Sequence, residues 1–416
     1  MSELLRKITN GNLVIQILLG IVLGVIWATA LPEYASHVGF LGTFFVKALK
    51  AIAPILVFIL ITHAIAQHKE GQQTNLRKII VLYIFGTLLA AIVAAVVSYI
   101  HPVHLNIAVA GQGSNPPQDV TVVLMNLLMN MAVNPVTALA EGNYIGILTW
   151  AILAGLVLRR HEGPTKVLMD NGAEVISVIV GWVVRLAPIG VFGLVAQAIH
   201  DVNTGSVVVA GKTLTGWDLL SGYAELVAVL LIAMLIVALV VNPIIVFAVT
   251  KRNPFPLVFK CLLRSGISAF FMRSSAANIP VNMQLCRELN LKEETYSISI
   301  PLGATINMAG AAITITVMAL AAAYTVGVEV HPITAIVLCV IATLGACGAS
   351  GVPGGSLLLI PMACSMLGID GDIAASVIGV GYIIGVIQDS AETALNSSTD
   401  VLFTAAADDA SLNQKV

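Results

Sequence analysis

The sequence predicts an all-helical integral membrane protein with roughly eight spanning helices and two re-entrant helical hairpins. Three observations favour this class. Hydrophobic residues make up 58% of the 416 residues and charged residues only 10%, and the mean hydropathy of +0.96 is far above that of soluble domains. The apolar stretches are long enough to cross a hydrocarbon layer of about 30 Å as helices rather than as strands. Polar, glycine-rich segments interrupt the later stretches.

The first part of the chain consists of long apolar stretches. We place spans at 12–31, 39–67, 78–101, 120–158, 171–200 and 217–250. Basic residues concentrate in the loops on one side, whereas the opposite loops, 102–119 and 201–216, hold only Lys212. The positive-inside rule therefore predicts a cytoplasmic N-terminus. The N-terminal segment of the sequence resembles a signal peptide. Its apolar run is longer than the apolar region of a signal peptide, so we expect a first helix that is retained.

Two interruptions after Arg252 carry prolines and small residues. They read "FFMRSSAANIPVN" (270–282) and "GACGASGVPGGS" (345–356), each inside an apolar stretch of about thirty residues, too short for two crossings. Broken backbone at membrane depth is tolerated only where protein buries it or a wet cavity borders it. We therefore expect two re-entrant hairpins with opposite entry sides, an inverted repeat that points to a transporter's binding site. Close helix packing through small residues is the alternative.

The segment "IQDSAETALNSSTD" (387–400) is unusually polar for its surroundings. On a helix, a turn of about 100° per residue places Asp389, Thr393, Asn396 and Asp400 on one face, with Glu392 at its edge. A carboxylate at the bilayer centre costs at least about 2.5–3.5 kcal/mol, so this face is a candidate site. The alternative, an exposed amphipathic tail, is disfavoured by the apolar runs on both sides.

Several classes of function are excluded or lack support. The net charge of −2 and the absence of a basic tract disfavour nucleic-acid binding. The five cysteines lack paired spacing and indicate neither a disulfide frame nor a zinc site. No nucleophile motif or phosphate-binding loop is present, so the chain is not expected to be an enzyme or to hold a cofactor.

The order of four motifs resembles a known family. "RSSAANIP", "NMAG", "GASGVPGG" and the spaced Asp389, Asn396 and Asp400 are similar to the sodium:dicarboxylate symporters, the glutamate transporter group, and closest to its bacterial sodium-coupled serine/threonine transporters. The resemblance extends over essentially the whole chain. It implies eight transmembrane helices plus two hairpins, an elevator mechanism and a homotrimer in the bacterial inner membrane, with both termini cytoplasmic.

The resemblance also implies a division of the chain into domains. Residues 1–77 would form scaffold helices 1 and 2, and 78–119 helix 3 on the transport side with an extracellular loop. Residues 120–216 would form scaffold helices 4 and 5. Residues 217–416 would form the transport core of helix 6, the first hairpin, helix 7, the second hairpin and helix 8.

The family's substrate residues carry over to this chain. By resemblance Asp389 binds the substrate's amino group, and Asn396 and Ser275 hold its carboxylate. The full set implied is Arg273, Ser274, Ser275, Gly351, Val352, Gly354, Asp389, Glu392, Thr393 and Asn396. We expect Arg273 to pair with Asp389 or Glu392, because an arginine at mid-depth needs a partner; snorkelling is the alternative.

Glu392 is an informative departure from the family pattern. Members that carry acidic amino acids have an arginine there, so a glutamate should repel a second carboxylate. The expected substrate is therefore a small neutral amino acid. Serine and threonine fit best, because their hydroxyl can donate to Glu392 or Thr393, and alanine is the alternative.

The resemblance implies Na⁺ as the coupling ion, with two sites. The implied ligands are Gly303, Asn307, Asn396 and Asp400 for one site, and Thr305, Met308, Ala346, Cys347 and Ala349 around the other. A third family site should be lost, because Ala309 replaces an aspartate and Gly86 stands where a hydroxyl is expected, so fewer Na⁺ should move per substrate. The runner-up hypothesis is a H⁺-coupled dicarboxylate or other small-solute carrier, and a gated ion channel is the third.

Overall fold

The computed structural model describes residues 13–66, 75–105, 107, 125, 128–161, 163–204, 208–209, 212–213, 216–348 and 354–408. The helices in the first half are α1 Leu13–Ala30, α2 Pro32–Ala66, α3 Leu76–Ile100, α4 Pro135–Glu141, α5 Tyr144–Leu158, α6 Pro164–Val184 and α7 Ala187–Asn203. The helices that follow are α8 Gly216–Ile236, α9 Asn242–Thr250, α10 Phe255–Cys261, α11 Ile267–Met272, α12 Ser275–Glu288, α13 Glu293–Ile306, α14 Ala309–Thr325, α15 Pro332–Ala346, α16 Ile360–Met366 and α17 Gly371–Ala407. Two short strands, β1 Val208–Val209 and β2 Lys212–Thr213, pair antiparallel.

Seven helical segments are long and apolar enough to cross a membrane, among the described residues. They are Pro32–Ala66, Leu76–Ile100, Pro164–Val184, Ser221–Thr250, Phe255–Met272, Glu293–Thr325 and Gly371–Ala407. Many large apolar side chains on their outer faces are exposed, such as Phe40, Trp182 and Phe271 at 65%, 67% and 76%. Such exposure suits contact with lipid rather than with water. The predicted all-helical membrane class is confirmed.

Two predicted spans are wrong in their extent. The predicted span 120–158 is divided, because Gly142 adopts a left-handed conformation at φ 69° and ends α4, and the Asn143 side chain then caps α5. The predicted span 171–200 begins earlier, at Pro164, and is divided after Val184. Pro188 lies in the first turn of α7, where its missing N–H is tolerated.

The two segments with polar interruptions are broken helices. The first broken segment, 255–288, runs through α10, a π-helical turn at Leu262–Gly266 and α11. It reverses at Arg273, which has a left-handed φ of 51°, and the Ser274 Oγ then caps α12 by accepting from Ala277 N. The second broken segment, 332–366, comprises α15, a 3₁₀ turn at Gly355–Leu359 and α16.

A third break and one long helix complete the centre. The helical run 293–325 is interrupted at Asn307 and Met308, so α13 ends where α14 begins. Helix α14 packs against α3 and α17, and α17 also contacts the first broken segment, α13 and α16. Helix α17 thus lies at the middle of all the broken elements, and its polar face is enclosed by them.

Candidate functional site

The polar face of α17 is fully enclosed. Asp389, Thr393, Asn396 and Asp400 lie on one continuous helix and are 3%, 6%, 3% and 0% exposed. The helix is capped by Asp370, whose carboxylate accepts from Asp372 N. The predicted helix and its polar stripe are therefore present, and the alternative of an exposed tail is wrong for this segment.

Asp389 joins the two broken segments. Its Oδ2 atom accepts from Arg273 Nε at 2.7 Å, and its Oδ1 atom accepts from Gly354 N at 3.0 Å. Arg273 Nη2 also donates to the Gly385 carbonyl at 3.1 Å. The left-handed turn at residue 273 directs the guanidinium inward, so the ion pair expected for Arg273 is formed and the snorkelling alternative is wrong here. Gly354 supplies its N–H from a left-handed φ of 73°.

A small cavity lies beside this ion pair. It measures about 10 Å³ and is bordered by Arg273, Gly354, Tyr382 and Asp389, which is about enough for one water molecule. The Tyr382 hydroxyl is buried there with no hydrogen-bond partner among the described residues. A molecule larger than water therefore cannot reach Asp389 unless the groups around this cavity are displaced.

Glu392 is held by protein donors. Its Oε2 atom accepts from Thr314 Oγ1 at 2.8 Å, from Ser356 Oγ at 2.8 Å and from Gln388 Nε2 at 2.5 Å. Gln388 Nε2 also donates to Thr314 Oγ1 at 2.7 Å. No ion pair among the described side chains includes Glu392. These three hydrogen bonds offset the cost of burying the Glu392 oxygen without a neighbouring cation.

Asn396 and Thr393 are also engaged with the protein itself. Asn396 Oδ1 accepts from Gly310 N at 2.7 Å, and its Nδ2 atom donates weakly to Met308 Sδ at 3.4 Å. A thioether is a poor acceptor, so this amide retains donor capacity. Thr393 Oγ1 donates to the Asp389 carbonyl at 2.7 Å. Ser275 is buried at the start of α12.

Asp400 and Asn307 form a cluster with spare oxygen atoms. Asn307 Nδ2 donates to Asp400 Oδ1 and Thr399 Oγ1, both at 2.8 Å, and to the Asn396 carbonyl at 3.3 Å. Asp400 Oδ2 and Asn307 Oδ1 are buried and have no partner among the described residues. Hard cations bind oxygen atoms of this kind, so the cluster fits a cation such as Na⁺.

Gly303 allows the backbone to approach this cluster. A Cβ atom at that position would lie 2.6 Å from Asp400 Oδ1 and 2.9 Å from the Tyr83 hydroxyl. Neither contact is possible without displacement. Any side chain at 303 would therefore fill the space beside the carboxylate.

The second predicted cation site is only partly within the described residues. Ala349, Gly351 and Val352, which were predicted for the cation and substrate sites, lie outside the described ranges. Thr305 Oγ1 donates to the Leu302 carbonyl at 2.7 Å. Cys347 Sγ donates to the Ile306 carbonyl at 3.4 Å, and Ala346 and Met308 are buried. This thiol contact joins the residue that follows α15 to the last residue of α13.

Tyr83 and Gly86 lie one helical turn apart on α3, and both face α17. The Tyr83 hydroxyl lies 3.2 Å from the Ser299 carbonyl, 3.1 Å from the Asp400 carbonyl and 3.0 Å from Thr404 Oγ1. A Cβ atom at Gly86 would lie 2.7 Å from the Phe403 ring. Phe403 thus occupies the place of a side chain at 86, and Ala309 brings no oxygen atom.

Three donors to Glu392 were not predicted from the sequence: Gln388, Thr314 and Ser356. Gln388 precedes Glu392 by one helical turn, a spacing that predicts contact. Thr314 and Ser356 come from α14 and the second broken segment, and their proximity depends on tertiary packing that spacing does not reveal. Among the described residues no cluster of three or more His, Cys, Asp or Glu side chains suits a metal ion.

A comparison with protein families agrees with this architecture. The family model described as the sodium:dicarboxylate symporter family matches residues 13–410. It is a family of transporters, not of enzymes, and the seven apolar helices among the described residues agree with a multi-pass membrane protein. The match covers nearly the whole chain, and it confirms the family to which the motifs pointed. The chain belongs to the sodium:dicarboxylate symporter family.

Proposed function

We propose that this secondary symporter couples Na⁺ entry to the uptake of small neutral amino acids, L-serine and L-threonine above all. The observation that carries the proposal is the pair of carboxylates on α17. Asp389 is a buried anion suited to an ammonium group, and Glu392 occupies the place where a cation would be needed for an acidic side chain. A substrate with a second carboxylate would meet the acceptor oxygens of Glu392 there and no cation among the described ion pairs.

The amino acid would bind with its ammonium group at Asp389. To do so it would compete with Arg273 Nε and Gly354 N, which share the carboxylate when no substrate is bound. Its carboxylate would face Ser275 at the start of α12 and the spare donor of Asn396 Nδ2. The N-terminal turn of α12 adds the partial positive charge of its free N–H groups.

The Na⁺ proposal rests on oxygen atoms that lack partners. Asp400 Oδ2 and Asn307 Oδ1 are buried without hydrogen bonds among the described residues, and burying such atoms unsatisfied is costly. Backbone carbonyls at Gly303 and Asn396 would complete an all-oxygen site for a hard cation. Thr305, Met308 and the segment 346–349 would supply a second site.

We propose fewer Na⁺ ions per substrate than three. Phe403 against Gly86 and the absent side-chain oxygen at Ala309 support the loss of a third site. The slope of reversal potential against the Na⁺ gradient in proteoliposomes measures the ratio, and a value of three would contradict this proposal.

The proposed architecture has eight transmembrane helices, and the two broken segments would be re-entrant hairpins. The chain would divide into a scaffold of 1–77 and 120–216, helix 3 within 78–119, and a transport core of 217–416 that moves as an elevator. We propose a homotrimer in the bacterial cytoplasmic membrane with both termini inside, in keeping with the basic residues of the predicted cytoplasmic loops.

Uptake of radiolabelled L-serine into proteoliposomes tests the function. We expect uptake driven by an inward Na⁺ gradient, competed by L-threonine and not by L-glutamate, with K⁺ and proton gradients as controls. Uptake that follows the proton gradient, or strong competition by glutamate, would instead support the H⁺-coupled dicarboxylate carrier.

A further inference from the structure

Ser356 places a hydroxyl group on the carboxylate that the proposed function assigns to the substrate's side chain. Its Oγ atom donates to Glu392 Oε2 at 2.8 Å, and both residues are at least nine-tenths buried, at 1% and 5% exposed. Ser356 lies in the 3₁₀ turn directly after Gly354 and Gly355. It therefore belongs to the same stretch of backbone that reaches Asp389 through Gly354 N.

The stretch that contains Gly354 and Ser356 presents one N–H group and one hydroxyl group to two neighbouring carboxylates. Asp389 and Glu392 are three residues apart on α17, so their carboxylates lie on adjacent parts of one helix face. The Gly354 N–H occupies one carboxylate and the Ser356 hydroxyl the other. Serine carries an ammonium group and a hydroxyl group within one small molecule. These two groups can donate hydrogen bonds to the two carboxylates.

The other two donors to Glu392 do not lie on the second broken segment. Gln388 lies on the same helix as Glu392, and Thr314 lies on α14, which is buried from Ala309 to Ala323. These two donors are linked to each other by the Gln388 Nε2 to Thr314 Oγ1 bond. Ser356 is therefore the donor to Glu392 that lies on the second broken segment, beside the Gly354 N–H group that contacts Asp389.

We propose that Ser356 is a specificity-determining residue whose hydroxyl competes with the substrate's hydroxyl for Glu392 Oε2. This inference rests on the proposed function and adds to it. While Ser356 holds Glu392, a substrate without a hydroxyl leaves the carboxylate fully hydrogen-bonded, so the site discriminates only weakly in favour of serine. When Ser356 is absent, only a hydroxylated substrate restores the third donor.

The test compares L-serine with L-2-aminobutyrate, which has a methyl group in place of the hydroxyl and nearly the same shape. Binding constants are measured on the purified full-length protein in Na⁺ for the wild type, Ser356→Ala, Glu392→Gln and the double variant. Ser356→Ala should raise the preference for serine, the ratio of the binding constant for L-serine to that for L-2-aminobutyrate, about tenfold. A hydrogen bond to a charged group contributes enough binding free energy for at least that ratio. In the Glu392→Gln background the same change should alter the preference less than about twofold.

Ser398→Ala is the matched control. Ser398 is also a buried serine, but its Oγ donates to the Leu395 carbonyl at 3.2 Å, so its loss should leave the preference unchanged. An unchanged or lowered preference in Ser356→Ala would overturn the inference, as would an equal rise in the Glu392→Gln background. If Glu392→Gln does not fold, Ser356→Ala and its control decide alone. Failure of the proposed function would appear separately, as a wild type that neither binds serine nor takes it up with Na⁺.

Discussion

Replacing Arg273 with methionine would measure the cost of leaving Asp389 buried without its ion-pair partner. The Arg273 and Asp389 side chains are 8% and 4% exposed, and their nearest atoms are 2.7 Å apart. Methionine keeps the Cβ atom and a similar length, so the left-handed backbone at 273, with φ 51°, stays equally strained. The substitution therefore removes the charge without changing the backbone strain.

The structure sets the expected size of the effect. Removing one partner of a buried pair costs about 3–5 kcal/mol, because the other charge is left without compensation. Asp389 keeps the hydrogen bond from Gly354 N, so we expect the lower end, about 3 kcal/mol. Arg264→Met is the matched control, since Arg264 contacts Glu288 at 3.0 Å with a side chain that is 60% exposed. Such exposed pairs contribute only about 0–1 kcal/mol.

The assay is reversible unfolding of each purified variant in mixed micelles by titration with sodium dodecyl sulfate. Arg273→Met should lose several times more free energy of unfolding than Arg264→Met. L-serine should reduce the difference from the wild type, because its ammonium group replaces the guanidinium beside Asp389. Equal losses in the two variants, or a loss below about 1 kcal/mol for Arg273→Met, would refute the reasoning.

Three further predictions follow from neighbouring contacts. Gly86→Ser forces its Cβ against the Phe403 ring and should lower the free energy of unfolding by about 1–3 kcal/mol; Phe403→Ala in the same chain should relieve most of that loss, and no relief would contradict the steric cause. Asp400→Asn should raise the Na⁺ concentration for half-maximal serine uptake at least about tenfold, because a unit charge near a buried cation is worth several kcal/mol; a shift below about twofold would argue against a cation there. Glu392→Gln should let L-aspartate inhibit serine uptake at about tenfold lower concentration by removing a like charge, and unchanged inhibition would contradict the role of that charge.

Helical periodicity was enough to predict the polar face of α17. The four-residue and three-residue spacings from Asp389 to Asp400 place these side chains together whatever surrounds the helix. The cost of an isolated arginine at membrane depth likewise predicted a carboxylate partner for Arg273. These predictions depend on local helix geometry or on one large energetic cost, so the sequence is sufficient for them.

Contacts made by distant segments could not be predicted in the same way. The proximity of Phe403 to Gly86 and of Ser356 to Glu392 depends on how α3 and the second broken segment pack on α17. The division between α4 and α5 is a different case. Asn-Pro at 134 and Gly-Asn at 142 are recognisable turn and cap signals, but the long apolar run around them masked their effect.

The position of Asp389 between Arg273 and Gly354 has a thermodynamic consequence. Since one carboxylate holds a residue of each broken segment, a cation that binds Asp389 weakens both attachments together. Linkage requires the reverse as well, so any substitution that loosens either attachment strengthens the binding of a cation to the carboxylate. The affinity of Asp389 for such a cation and the strength of its two attachments are therefore opposing quantities.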